Sequence, residues 1–161
     1  LLIAAEKLWD KGLKFRLTLV GLANRETSRP VIELLEASEE KGRRIKWLGP
    51  QSEQELRLQY TTCHFTVYPS LAEGFGLPVI ESLKHGKPCV CSSKGAIGEI
   101  STRGGCLTVE KPTPEALAAA MEKLLSDPST QAKLREEAKN RVFRTWSDYA
   151  MDILEFHKSL R

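Results

Sequence analysis

Glu73-Gly74-Phe75-Gly76-Leu77-Pro78-Val79-Ile80-Glu81 sets two carboxylates eight residues apart around a glycine-rich turn, with a proline where a helix begins. Gly74 and Gly76 let backbone amides approach a ligand with no side chain in the way. Pro78 is pre-set for a first helical turn and has no N–H to leave unsatisfied there. The free amides at such a helix start attract a phosphate or a sugar hydroxyl. Glu73 then falls on the loop and Glu81 about one turn into the helix. Both can face one pocket, where carboxylates accept bonds from ligand hydroxyls.

The pattern around this stretch alternates strand and helix. Upstream, His64 to Tyr68 reads as a strand, and Ser52 with Glu55 has capping-box spacing before a helix carrying Leu56 and Tyr60. Ile45 to Leu48 is a strand, Pro30 to Ser38 a helix, and Phe15, Leu17, Leu19 and Val20 an apolar strand. Leu1 to Leu8 is helical in composition, with Gly12 as its stop. Downstream, Pro88 to Cys91 and Gly105 to Val109 are the remaining strands. Thr113-Pro114, Asp127-Pro128 and Ser147 mark the starts of three final helices. This order predicts an α/β fold: a Rossmann-like parallel sheet flanked by helices on both faces, with a helical C-terminal part. Ligands in such sheets sit beyond the carboxyl ends of the strands. Gly21, Gly49, Ser70 and Ser92 each follow a predicted strand, which puts the Glu73 loop at that rim.

Bulk properties narrow the function. A chain of 161 residues is one domain with room for a good core. A net charge of +3 without a basic run argues against nucleic acid as a partner. No apolar run reaches the roughly 20 residues of a membrane span. Cys89 and Cys91 flank Val90 on one strand face, poorly placed for a disulfide, and no C-x-x-C pair occurs. With Cys63 and Cys106 they read as reduced thiols of a cytoplasmic protein. Gly74-Phe75-Gly76 is no dinucleotide fingerprint, because Val79 stands where a third glycine is needed.

The segment from Tyr68-Pro69-Ser70 through Glu81 resembles the E-x7-E signature of retaining glycosyltransferases of the GT-B fold, particularly glycosyltransferase family 4. Phe15 to Gly21, Ile45 to Gly49, His85 to Val90, Gly95 to Ile100 and Trp146 to Leu160 resemble that family's other elements in the same order. The resemblance implies the donor-binding half of a GT-B enzyme, a single nucleotide-sugar-binding domain over 1–161. It implies transfer of a sugar from a nucleoside diphosphate to an acceptor hydroxyl with retention. UDP-glucose is the first choice of donor and GDP-mannose the second, with polysaccharide or cell-surface glycan assembly as the setting. Glu73 would meet the donor sugar as the catalytic residue. Gly74, Phe75, Gly76, Leu77 and Val79 would bind sugar and diphosphate, Glu81 the ribose, and Trp47, Leu48 and Gly49 the nucleobase. No cofactor and no metal are expected. The aspartates are Asp10, Asp127, Asp148 and Asp152, and none forms the D-x-D pair with which other sugar transferases hold a metal.

The resemblance also implies parts outside this sequence. An arginine and a lysine that clamp the diphosphate, a first strand near the middle of the sheet, and an N-terminal acceptor domain would all precede Leu1. Any peripheral membrane association would run through that other domain. A gap in the sheet would leave backbone groups unpaired.

Several residues carry a plainer reading. Trp47 is either a nucleobase neighbour or a buried core tryptophan. His85 suits a helix end, where a cation is favourable, better than catalysis. His64 and His157 read as structural, Glu99 supports a helix start, and Arg43, Arg44 and Lys46 form a solvated face. Ser70 touches the donor or satisfies a turn. A noncatalytic nucleotide-binding or interaction module on the same scaffold is the alternative function. It would use the stripe of Tyr149, Ile153, Phe156 and Leu160. A GT-B sugar epimerase is a weaker third.

Overall fold

Helices and strands alternate for most of the chain, and every strand pair is parallel. The computed structural model describes residues 1–22 and 28–160. Within them the order is α1 (Leu2–Asp10), β1 (Leu17–Leu19), α2 (Arg29–Glu40), β2 (Ile45–Trp47), α3 (Glu53–Thr62), β3 (Thr66–Tyr68), α4 (Leu77–Lys84), β4 (Cys89–Ser92), α5 (Gly95–Ser101), β5 (Cys106–Val109), α6 (Pro114–Ser126), α7 (Pro128–Lys139) and α8 (Trp146–Ser159). Parallel neighbours need a crossover rather than a hairpin, and α2, α4 and α5 supply one each.

The expected α/β class, with its helical C-terminal part, is what the structure shows. One continuous sheet is not. Among the described residues, β1 pairs only with β2, with Leu17 opposite Ile45 and Leu19 opposite Trp47. β4 lies between β3 and β5, with Val67 opposite Val90 and Cys89 opposite Cys106. The described strands thus form two separate parallel sheets, one of two strands and one of three.

Side chains bridge what the backbone does not. One apolar cluster joins Leu17 and Ile45 of the first sheet to Val90 and Val109 of the second, beneath Leu8 of α1 and Leu117, Met121 and Leu124 of α6. Burying each such side chain contributes roughly 1.5–3 kcal/mol. The opposite face of β4 turns Cys89 and Cys91 into a second cluster with Val79 and Leu83 of α4, Ile97 of α5 and Ala138 of α7. The alternation along β4 is the two-residue period of a strand covered on both faces. All four cysteines are unpaired.

Polar groups lock the periphery. Arg43, half-buried, approaches Glu6 and bonds Asp10, tying α1 to the start of β2, while Arg44 and Lys46 stay on the solvated face. Lys87 donates from Nζ to the carbonyls of Thr61 and Cys63 at 2.9 and 2.8 Å, satisfying the C-terminal end of α3. In contrast, α8 buries no residue: Tyr149, Ile153, Phe156 and Leu160 are all more than half, or half, exposed.

Candidate functional site

The turn between β3 and α4 takes its shape from Gly76. Its φ of +77° is left-handed, the conformation that favours glycine, and it forms the N-cap of α4. A methyl group here would meet Ile97 Cγ1 at 3.1 Å and Ile100 Cδ1 at 3.3 Å, so α5 packs directly on the turn. Among the described residues, the amides of Phe75, Gly76 and Leu77 have no backbone acceptor, whereas those of Val79 and Ile80 turn inward to the Gly76 carbonyl at 3.0 and 3.4 Å. Pro78 has no N–H. The amides of this turn left without a backbone partner are therefore those of Phe75, Gly76 and Leu77, the middle one on a buried residue. Val79, fully buried, closes the turn and does not offer its N–H outward. Phe75 and Leu77 hold their side chains in solvent, at 62% and 57% exposure, where they flank those amides.

Each acid is held by a tyrosine. Glu73 accepts on Oε1 from the Tyr68 hydroxyl at 2.6 Å and from Ser70 Oγ at 2.9 Å. These bonds hold its carboxyl below the usual range. Burial, then the bond to Glu73, pushes the Tyr68 phenol up to about 12. Glu81 accepts on Oε2 from the Tyr60 hydroxyl at 2.9 Å. Tyr60 is half-buried, and burial ahead of its bond to Glu81 pushes its phenol well up. Its ring stacks on His85, with centroids 5.2 Å apart and planes 16° from parallel. His85 is the C-cap of α4, as its helix-end reading expects.

The three nucleobase candidates lie on the other sheet. Trp47 ends β2, and its indole N–H donates to the Gly21 carbonyl at 3.0 Å. It is 39% exposed, so the buried-core reading is wrong: its strand is an edge, and the indole needs an acceptor that the end of β1 provides. Leu48 and Gly49 continue past the strand end, where Leu48 N–H bonds Leu19 and the Gly49 carbonyl accepts from Gly21. Trp47 borders two hollows of about 250 and 210 Å³ along α2, lined by Leu19, Gly21, Ile32, Leu35, Glu36 and Glu39 among others. Neither hollow touches Glu73 or Glu81.

The structure thus gathers Glu73 with Ser70 and Glu81 with Tyr60 around one glycine turn. Among the described residues, no hydrogen bond joins this group to Trp47, Leu48 and Gly49. Tyr60 was not singled out from sequence. It lies twenty-one residues from Glu81 and carries no local signal. Glu99 is on the exposed side of α5, and Ser70 serves both its turn and Glu73. This loop thus brings three amides without backbone partners to the stretch between two carboxylates that are each hydrogen-bonded on one oxygen.

The family model described as "Glycosyl transferases group 1" matches residues 1–141. A D-inositol 3-phosphate glycosyltransferase of Corynebacterium urealyticum is 31% identical over 131 residues, covering 79% of this chain and 31% of that protein. The O-antigen chain mannosyltransferase B of Escherichia coli is 30% identical over 118 residues, covering 72% of this chain and 30% of that protein. Among solved structures, sucrose-phosphate synthase from Thermosynechococcus elongatus superposes with a TM-score of 0.79 at 25% identity, covering 99% of this chain and 42% of the other. The chain therefore spans about a third of the length of the curated relatives it matches.

Proposed function

Because the chain belongs to the glycosyl transferases group 1 family, we propose that it is the donor-binding half of a retaining GT-B glycosyltransferase of the family 4 kind, with Glu73 and Glu81 as its E-x7-E motif. It takes a nucleoside diphosphate sugar, UDP-glucose as first choice and GDP-mannose as second, and passes the sugar to an acceptor hydroxyl with its anomeric configuration kept. Glycan assembly on the cytoplasmic side is the setting.

The observation that carries this reading is the β3–α4 turn. In it, left-handed Gly76 leaves the Phe75, Gly76 and Leu77 amides without a backbone partner, between two carboxylates that each accept a tyrosine hydroxyl on one oxygen. Gly74 and those amides meet the diphosphate and the sugar, with Val79 closing the turn beneath them. Glu73 Oε2 takes a sugar hydroxyl, and Glu81 Oε1 takes the ribose. Trp47, Leu48 and Gly49 border the base from the other sheet. Charge builds on the leaving diphosphate in the transition state, and fixed amides stabilise it without reorganising. Holding donor and acceptor in register supplies the rest. No divalent metal is required in this scheme, so a chelator should leave transfer unchanged.

Calorimetry on the full-length protein tests the reading, with UDP, GDP and their sugars titrated into wild type and Glu81→Ala. Loss of a charged hydrogen-bond acceptor should weaken the preferred nucleotide about tenfold or more. Equal affinity in the two proteins rejects the ribose contact.

A second reading, an interaction module, draws on α8, whose apolar stripe stays half or more exposed. Under the first reading that stripe faces the acceptor-binding half of the same protein. Nucleotide binding that responds to Glu81 separates the two.

A further inference from the structure

The hydrogen bonds to the two acids are unusually one-sided. Tyr68 and Ser70 both donate to Oε1 of Glu73, and neither touches Oε2. Tyr60 donates to Oε2 of Glu81, and among the described residues Oε1 has no hydrogen-bond partner. A carboxylate that accepts on one oxygen loses rotational freedom and presents the other oxygen in a fixed direction. The two tyrosines reach their acids from different elements. Tyr68 ends β3, anchored by its backbone pairing with Cys91 of β4. Tyr60 comes from α3, with its ring braced on His85. Each phenol is thus carried by an element other than the one that carries its acid.

We propose that Tyr68 and Tyr60 are positioning residues: each clamps one oxygen of Glu73 or Glu81 and thereby aims the other at the donor. This rests on the reading of those acids as donor-binding groups and adds residues to it. It also divides the labour. Tyr60 acts through the ribose acid and serves nucleotide binding. Tyr68 acts through the sugar acid and serves the sugar-dependent part of the reaction. The groups facing Glu73 are the Tyr68 phenol and the Ser70 hydroxyl, and no cation lies within ion-pair distance of it among the described residues. Its low carboxyl is therefore set by hydroxyls that can be deleted singly.

The test uses Tyr60→Phe, Tyr68→Phe and Glu81→Gln in the full-length protein, with UDP and UDP-glucose as probes, or GDP and GDP-mannose if wild type prefers guanine. Both phenylalanine variants keep their rings, so stacking and folding persist, which circular dichroism verifies. Tyr60→Phe should weaken UDP and UDP-glucose by the same factor, about tenfold, the usual worth of one hydrogen bond to a charged group. Tyr68→Phe should bind UDP as wild type does, lower kcat/KM for the sugar donor about tenfold, and move the acid limb of the pH profile upward. The sign follows from Glu73: losing the phenol lets its carboxyl rise toward the ordinary range, so its charge is lost at a higher pH. A merely structural tyrosine would not move that limb. If Glu81→Gln weakens UDP but Tyr60→Phe does not, the positioning role is overturned and the donor-site reading stands. If Glu81→Gln also binds like wild type, the donor-site reading fails and the positioning role with it.

Discussion

Two glycines of nearly equal appearance in the sequence answer to different constraints. Gly74 has open space where a methyl group would go and an ordinary φ. Gly98, inside α5, has none: a methyl carbon there would sit 2.2 Å from the Ser93 carbonyl oxygen and 2.7 Å from its carbon. That obstacle is backbone and cannot swing aside, so α5 would have to lift from the end of β4. Gly98→Ala should therefore destabilise the fold by about 1–3 kcal/mol, seen as a lower midpoint in thermal or urea unfolding. Gly74→Ala should melt like wild type yet weaken nucleotide-sugar binding, because only the loop's approach to a ligand changes. Equal melting of both variants would refute the packing argument. The need for glycine at 76 was legible, since a glycine before a Leu-Pro helix start is a turn with a known preference. The need at 98 was not, because its obstacle is created by the path of the Ser93 turn. Tyr60 was hidden for a similar reason: only the packing of α3 beside α4 brings its hydroxyl to Glu81.

Among the elements, those announced by capping chemistry were read most closely. Ser52 and Glu55 form both arms of their box at the start of α3. Thr113 caps α6, and Asp127 caps α7 with bonds to the Ser129 and Thr130 amides and to both hydroxyls. Strand lengths were read less well. Phe15 belongs to no strand; its ring stacks on Trp9 at 4.8 Å, and β1 shrinks to Leu17–Leu19. An apolar run does not say whether its first residue pairs with a neighbouring strand or covers a helix. Thr145 and Asp148 form a second full capping box, so α8 starts one residue before the expected Ser147. The Asp127 cap gives a pH prediction. The Ser129 and Thr130 hydroxyls, ahead of the amides, hold its carboxyl far below the usual range. A depressed folded value means that the stabilisation is present above the ordinary carboxyl range and is lost as pH falls through the folded value. Asp127→Ala should thus melt a few degrees below wild type at neutral pH, and the gap should narrow in strong acid. A gap that is constant across pH would show that the carboxylate's charge plays no part.

At the scale of the whole molecule, the layered α/β order followed from element periodicity, whereas the break in the sheet is a property of which edges meet. Periodicity does not say whether the two sheets would remain one body. Residue packing answers that. The larger apolar cluster takes side chains from both sheets, whereas the cluster beneath α4 and α5 takes them from the second sheet alone. Leu117 of α6 is 1% exposed in the first cluster, and Leu83 of α4 is 1% exposed in the second. Truncation to alanine at either site should cost about 2–5 kcal/mol through lost burial and the cavity left behind. The distribution of that cost should differ, and native-state hydrogen exchange reads it amide by amide. Leu117→Ala should reduce protection of Leu19 and Leu48 on the first sheet as well as of Cys89 and Ser93 on the second, because the cluster it belongs to takes side chains from both sheets. Leu83→Ala should reduce protection at Cys89 and along α4 first, leaving the first sheet closer to wild type and weakening nucleotide-sugar binding through the loosened helix start. Should Leu117→Ala leave Leu48 as protected as before, the shared core would not couple the two sheets, and the turn bearing Glu73 would have to hold its geometry from the second sheet alone.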